Sequence, residues 1–451
     1  PKSILVYRML TAAGTQRIMT FLLGGYQTLF RGRVMKTMRM LCAAALAGYC
    51  ACAVANEANH QQYVVGERAA GMGGAACALG KDVDAAYYNP AGLGWVERNS
   101  LSLSANLYGF QRYQSEDSIY IEEDFKTSSF VTIPSAMSSV FRLDDKTTLS
   151  LSAFVPRRYS LSDLIAFPAV NHFYNVSRED QTLWVGPAAG HALSTNLSVG
   201  ASVYGVYRTF STLESLTYGD MRVAYSRDLN YWSLGMLAML GAQYRPDGNW
   251  RLGASVQSPT VSMAGRGKYQ STVVYDDTID HTYMDELDAD SRLPGRITAG
   301  IAWEKEKVFA AGVDVTYHFP TSFKLLEGTD YKGTYRTMEM RYEAVVDVNV
   351  GAEYYVLENY PLRCGFFTSH SSAPDVTRTT EDFPAQIDLY GLTFSVGRVS
   401  ENVALSLGLN YLFGSGEDYG WRVGQDGYPV DAVVDAREQQ IFLFFNTSYM
   451  F

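Results

Sequence analysis

Four groups of residues in this 451-residue chain could carry chemistry. The first is Gly66 to Leu93, GERAAGMGGAACALGKDVDAAYYNPAGL, a glycine- and alanine-rich run that could cradle a phosphate. A P-loop requires G-x-x-x-x-G-K-[ST], so that backbone N–H groups surround the phosphates and the lysine reaches them. Here Gly80-Lys81 is followed by Asp82 and preceded by Ala75 where glycine is needed, and no strand with a long amphipathic helix flanks it. The second is the acidic stretch Asp276 to Asp290, with Asp285, Glu286, Asp288 and Asp290 close together; it lacks the EF-hand spacing and glycine, and reads as a solvated loop. Third, the six histidines are scattered and no Gly-x-Ser-x-Gly elbow occurs, so no catalytic set, metal site or cofactor is implied. What is left of the first group is a compact segment suited to places where bulky side chains do not fit. The fourth group, the arginines, has meaning only once the elements that position them are known.

Those elements begin with an export signal. Met35 to Met40 is a short basic head, Leu41 to Ala51 an apolar centre, and Ala53-Val54-Ala55 an A-x-A cleavage site. The apolar run is too short for a spanning helix, which needs about 20 residues. Residues 1–34 then read as an over-extended reading frame, 35–55 as the signal peptide, and the mature chain starts near Asn56. Seven basic and no acidic residues lie in 1–55, which leaves 30 basic against 47 acidic residues, a net charge of −17. So acidic a chain is a poor partner for nucleic acid or anionic lipid. Only Cys77 and Cys364 remain, too few for a disulfide framework, and both read as small buried apolar residues.

Beyond residue 55, period-two alternation recurs without sustained helical periodicity. Leu101, Leu103, Ala105 and Leu107 alternate with Ser102, Ser104, Asn106 and Tyr108; Val403, Leu405, Leu407 and Leu409 alternate with Ala404, Ser406, Gly408 and Asn410. About fourteen such segments can be marked. Their connections alternate between short turns, such as Leu143 to Lys146 and Ser400-Glu401, and long loops at 112–127, 158–180, 211–222, 259–294, 319–337, 370–386 and 414–436. Short turns at one end and long loops at the other are the pattern of a transmembrane barrel. Without a spanning helix, a closed barrel is also the one way such a chain satisfies its backbone within lipid. The last strand, Ile441 to Phe451, is aromatic and alternating, like the signal by which the outer-membrane assembly machinery recognises barrels. The expected fold is therefore all-β: a transmembrane antiparallel β-barrel of about 14 strands, integral to the bacterial outer membrane and in contact with its lipid.

With Asn89-Pro90-Ala91-Gly92-Leu93 closing the glycine-rich run, the chain resembles the FadL/TodX family of outer-membrane transporters of hydrophobic substrates. Ile133-Pro134-Ser135, Phe154-Val155-Pro156, Trp250-Arg251-Leu252-Gly253 and Leu293-Pro294-Gly295-Arg296 extend the match. Arg68 to Gly74 is also similar to PorV-like and spirochaete barrels. The resemblance implies a lumen plugged by an N-terminal hatch over 56–98 in a barrel over 99–451, with Gly71, Gly73, Gly74, Asn89, Pro90 and Ala91 as the hatch motif. It implies no enzyme but passive uptake of long-chain fatty acids or other hydrophobic small molecules, captured by the outer loops and released sideways through a kinked strand. A PorV-like scaffold for secreted proteins and a general porin are the alternatives.

In that setting the arginines gain a role. Loop 158–180 offers Leu161, Leu164, Ile165, Phe167 and Phe173 as an apolar surface, and Arg157 and Arg158 beside it could hold a carboxylate through charge-assisted hydrogen bonds. Arg296 and Arg363 are alternatives within the wall. Pro134 and Pro156 would each remove a ladder donor and so mark a strand kink or lateral gate.

Overall fold

The computed structural model describes residues 57–120, 123–167, 172–218, 223–275, 278–328, 337–377, 383–423 and 429–451. The expected signal peptide over 35–55 and the segment before it lie outside the described residues.

From Ser100 onward the chain is strand. β1 (Ser100–Tyr120), β2 (Glu123–Arg142), β3 (Thr147–Phe167), β4 (His172–Ala192), β5 (Leu197–Tyr218) and β6 (Val223–Tyr244) are long and uninterrupted. Next come β7 (Trp250–Gln257), β8 (Val261–Tyr275), β9 (Thr278–Ala289), β10 (Arg296–Lys305), β11 (Phe309–His318), β12 (Thr321–Glu327), β13 (Met338–Tyr342) and β14 (Val345–Leu357). β15 (Tyr360–Ser369), β16 (Gln386–Val399), β17 (Val403–Val423) and β18 (Pro429–Met450) complete the sheet. These eighteen segments form fourteen wall strands, because β7–β8, β9–β10, β11–β12 and β13–β14 are each one strand in two pieces. All neighbours are antiparallel. β1 closes on β18 from Ser100↔Met450 to Ser115↔Ala436, so no edge is left open at the seam.

Side-chain polarity is inverted relative to a soluble sheet. In β1 Leu103 is 53% exposed and Ser102 0%; in β18 Ile441, Leu443, Phe445 and Tyr449 point out, while Phe442, Phe444, Asn446 and Ser448 point in. An apolar exterior around a lumen of serine, asparagine and charged residues requires lipid as the outer solvent.

Two expectations are corrected. The outer connections are largely not loops: β3 runs to Phe167 and β4 resumes at His172, so most of 158–180 is a tall hairpin, and β1–β2, β5–β6 and β17–β18 likewise extend their pairing through the stretches read as loops. Cys364 is exposed on the outer face of β15, not buried; Cys77 is buried. The reason is common to both. Above and across the lipid belt the wall stays extended, and its outward face takes any residue that its solvent tolerates.

Residues 57–98 lie inside the barrel. They contain α1 (Arg68–Gly71), α2 (Asp82–Tyr88) and a 3₁₀ turn (Pro90–Trp95). With so little regular structure, their backbone groups must find partners on the wall.

Candidate functional site

The wall supplies those partners from inward-facing polar side chains. Asp314 on β11 accepts N–H bonds from Ala76 and Cys77, both at 2.8 Å. Asn349 donates to the Gly73 carbonyl at 2.6 Å, and Thr393 donates to the Gly71 carbonyl while accepting from the Gly73 N–H. Gln243 reaches the carbonyls of Cys77 and Gly80, Ser198 that of Ala91, and Tyr204 that of Ala86. Asn89 is the densest node: its amide donates to Cys77 O at 2.8 Å and to the wall carbonyls of Ala242 and Ala254, and its oxygen accepts from Ala91 N–H at the start of the 3₁₀ turn. Pro90 follows with a φ preset for that turn, and its missing N–H costs nothing at a helix start.

Space comes from glycine on both sides. Gly73 and Gly74 adopt φ of +62° and +83°, a left-handed pair that side chains rarely take. Opposite the segment, the wall places glycines in register: Gly190 beside Gly200, Gly200 beside Gly241, Gly253 beside Gly300, and Gly312, Gly351 and Gly365 in turn. A Cβ on Gly200 would stand 2.2 Å from Pro90 C, on Gly253 2.2 Å from Cys77 O, and on Gly365 2.1 Å from Gly73 N. The sequence reading missed this band, although an isolated glycine inside an alternating strand signals close backbone approach.

Charge fixes the two ends of the segment. At the periplasmic end Arg68 pairs with Glu304 at 3.0 Å and Glu353 at 2.8 Å, and Arg363 joins Glu353 at 2.6 Å. At the other end Glu57 is clasped by the Arg208 guanidinium and receives the Tyr342 hydroxyl at 3.2 Å; Asp180 takes Arg208 from the far side at 2.9 Å. Burial alone would raise the Glu57 carboxyl, but Arg208 and Arg157 hold it below its ordinary value. His60 stacks on His318 with ring centroids 4.3 Å apart, and burial, with Arg157 and Arg296 nearby, lowers it to about 3.

The proposed carboxylate partners separate. Arg157 is buried, donates to the carbonyls of Glu57 and Asn59 at 3.0 and 3.1 Å, and lines a cavity of about 40 Å³ with Arg296. That cavity is walled by Tyr87, Trp184, Pro156, Leu293, Pro294, His60 and His318, and no aspartate or glutamate lines it among the described residues. Arg158 lies elsewhere, bonded to Gln181, and Arg363 belongs to the periplasmic network. The apolar residues of 158–180 also divide. Leu161 is buried inside, Ile165 half-buried, and Leu164 and Phe173 face outward; the Phe167 side chain lies outside the described residues.

Pro134 and Pro156 sit at one seam. The β2–β3 ladder holds from Arg142↔Thr148 to Ala136↔Phe154 and then stops, although both strands continue. On its other side β3 slips register against β4 between Phe154 and Arg157, and Tyr63 donates its hydroxyl to the Val155 carbonyl left over there.

A lipid-facing fourteen-stranded barrel with residues 57–98 packed against its inner wall defines an outer-membrane β-barrel. The chain belongs to the outer membrane protein transport protein family (OMPP1/FadL/TodX), whose model matches residues 44–419, and it is an integral outer-membrane protein. The fold is similar to that of a Pseudomonas aeruginosa FadL homologue (13% identity, 87% of this chain and 99% of that one, TM-score 0.63). It is also similar to the P. putida toluene transporter TodX (14%, 86% and 99%, 0.62) and the Ralstonia pickettii toluene transporter TbuX (16%, 86% and 98%, 0.59). No curated protein matches the sequence. The family transports hydrophobic substrates across the outer membrane, and TodX and TbuX are toluene transporters.

Proposed function

We propose that this protein takes up amphipathic molecules carrying one carboxylate, long-chain fatty acids foremost, by passive diffusion past a hatch formed by residues 57–98. The observation that carries the reading is the inner cavity: two guanidinium groups, Arg157 and Arg296, with Tyr87, Trp184 and two prolines. Neutral polar side chains such as Gln62 and Gln257 complete a lining that holds no acid among the described residues. Such a site favours an anionic head with an apolar tail. At about 40 Å³ it holds more than a water molecule but far less than an acyl chain. The stretch from Glu57 to Tyr63 must therefore shift when ligand enters. Release through the β2–β3 seam beside Pro134 and Pro156 fits the polar, ion-paired periplasmic end, which would oppose passage of an apolar chain.

The test is saturable binding and uptake of labelled oleate by the purified protein and by cells that express it. Replacing Arg296 by Gln should weaken binding about tenfold, because a charge-assisted hydrogen bond contributes roughly 1.5 kcal/mol or more. Oleyl alcohol, which lacks the charge, should be insensitive to that change. Equal handling of oleate and oleyl alcohol by both proteins would sink the carboxylate reading and favour an uncharged aromatic, such as the toluene in the names of TodX and TbuX.

A further inference from the structure

A second interruption of the wall lies away from the β2–β3 seam. β9 and β12 share two register pairs, Ala289↔Leu326 and Asp288↔Glu327, whereas β10 and β11 just below share ten. The Asp290 N–H bonds Leu325 O at 3.1 Å and the Phe319 N–H bonds Gly295 O at 2.9 Å. Between these two stitches, residues 291–294 and 320–324 make no ladder contact with each other among the described residues. Residues 291–294 lean away, and the Leu293 carbonyl accepts from Thr260 N–H at the break between β7 and β8.

The result is an outward-facing cleft of about 680 Å³. Its ion pairs, Arg266–Asp288, Arg292–Asp290 and Lys324–Glu327, each stay on one bank, and none spans it among the described residues. Exposed pairs of this kind hold little. Trp232, which packs against Tyr207 on the outer face, and exposed Met263 stand at its edge. Tryptophan and tyrosine mark the membrane–water interface, where amphipaths concentrate. Phe323 and Arg292 line both this cleft and a small inner cavity that also touches Arg157, and Arg157 in turn lines the Arg296 cavity. One layer of side chains, Phe323 and Arg292, thus separates the cleft from the inner cavity, where Glu57 is held by Arg208. A second layer containing Arg157 separates that cavity from the candidate carboxylate site.

We propose that the β9–β12 cleft is a lateral entry port, gated by Phe323, through which a membrane-partitioned amphipathic carboxylate passes from Arg292 to Arg157 and Arg296. The ligand class rests on the reading under Proposed function; the port itself does not. No bond is made or broken, and the carboxylate exchanges one guanidinium for the next.

The test places a reporter thiol inside. Ser233 lines the inner cavity, so Ser233→Cys in a Cys364→Ser background, with Cys77 buried, is reacted with N-phenylmaleimide in membrane vesicles and followed by mass spectrometry. Ala264→Trp, at an exposed position of the cleft, should slow labelling several-fold without touching the core, and Phe323→Ala should speed it. Retained heat-modifiable gel mobility confirms that each variant is folded. Equal labelling rates in parent and Ala264→Trp would overturn the port. Oleate uptake is measured in parallel: a parent that takes up none sinks the transport reading, while the labelling rates still decide the port.

Discussion

Two stretches of the wall, β1–β6 and β7–β14, are unlike, and β15–β18 is unbroken like the first. From β1 to β6 the strands are 20 to 22 residues long and unbroken, although Pro134, Pro156 and Pro187 lie within them. From β7 to β14 every wall strand is in two pieces, and three of the four breaks carry a proline: Pro259, Pro294 and Pro320. Proline alone therefore does not break a strand. In the first stretch each proline costs ladder rungs where a neighbour is already absent: Pro134 pairs with β1 while its β3 side is open, and the β4–β5 ladder skips Gly186 and Pro187. In the second the chain turns inward at Pro294, where Leu293 and Pro294 line the cavities around His60 and Arg157, whereas Pro259 and Pro320 stay exposed. The continuous stretch is a scaffold, and the broken stretch shapes the lumen.

The comparison can be broken most severely at the anchors of the luminal segment. Arg68→Met removes the cation shared by Glu304 and Glu353 and leaves them Arg251 and Arg363, so the change should approach but not exceed the roughly 3 kcal/mol of a buried pair stripped of its partner. Urea unfolding in detergent should report it. Gly200→Leu, on the continuous stretch, drives a side chain into Pro90 and should cost about 1–3 kcal/mol by overpacking; the same change at Gly205, where a Cβ would meet nothing nearer than 3.6 Å, should do less. Hydrogen exchange followed by mass spectrometry should show β9 and β12 opening before β4 and β5, because few bonds join the first pair and nineteen register pairs join the second. Uniform protection would erase the distinction.

The smallest effect concerns acidity. His60 is held near 3 in the folded protein against an ordinary 6.5, so its neutral form stabilises the segment at neutral pH, and that contribution is lost as pH falls from 6.5 toward 3. Glu57, lowered by Arg208 after burial is overcome, adds a loss below its ordinary 4.5 as it protonates. Limited proteolysis near residue 57 should accelerate below pH 6.5, and a His60→Phe variant should accelerate less over that range.

Much of the barrel was legible in the sequence because lipid imposes a rule on alternate residues. Leu101 to Leu107 and Val403 to Leu409 could hardly be read otherwise. The upper strands were not legible for the same reason: above the lipid belt the outward face of β8 and β9 meets water, and residues such as Lys268, Thr278 and Asp280 carry no alternation. The strand breaks were hidden because Pro259, Pro294 and Pro320 fell in stretches already read as loops. At the site, Arg157 and Arg296 could be nominated, but their meeting across one cavity depends on closure of strands more than a hundred residues apart. Glu57, Arg208 and the glycine band had the weakest signals, since each makes sense only opposite a partner.

Asn89 has one more consequence, for the order of assembly. Its amide closes on carbonyls of β6 and β7 as well as its own segment, and Asn446 on β18 donates to Gly66 O. Residues made early thus complete bonds offered by the middle and the last strand of the wall. Threading 42 residues into a finished cylinder would strip all of those groups of water before any partner was reached. The wall must therefore wrap around its N-terminal segment as it closes, with that segment serving as the mandrel on which the cylinder is wound.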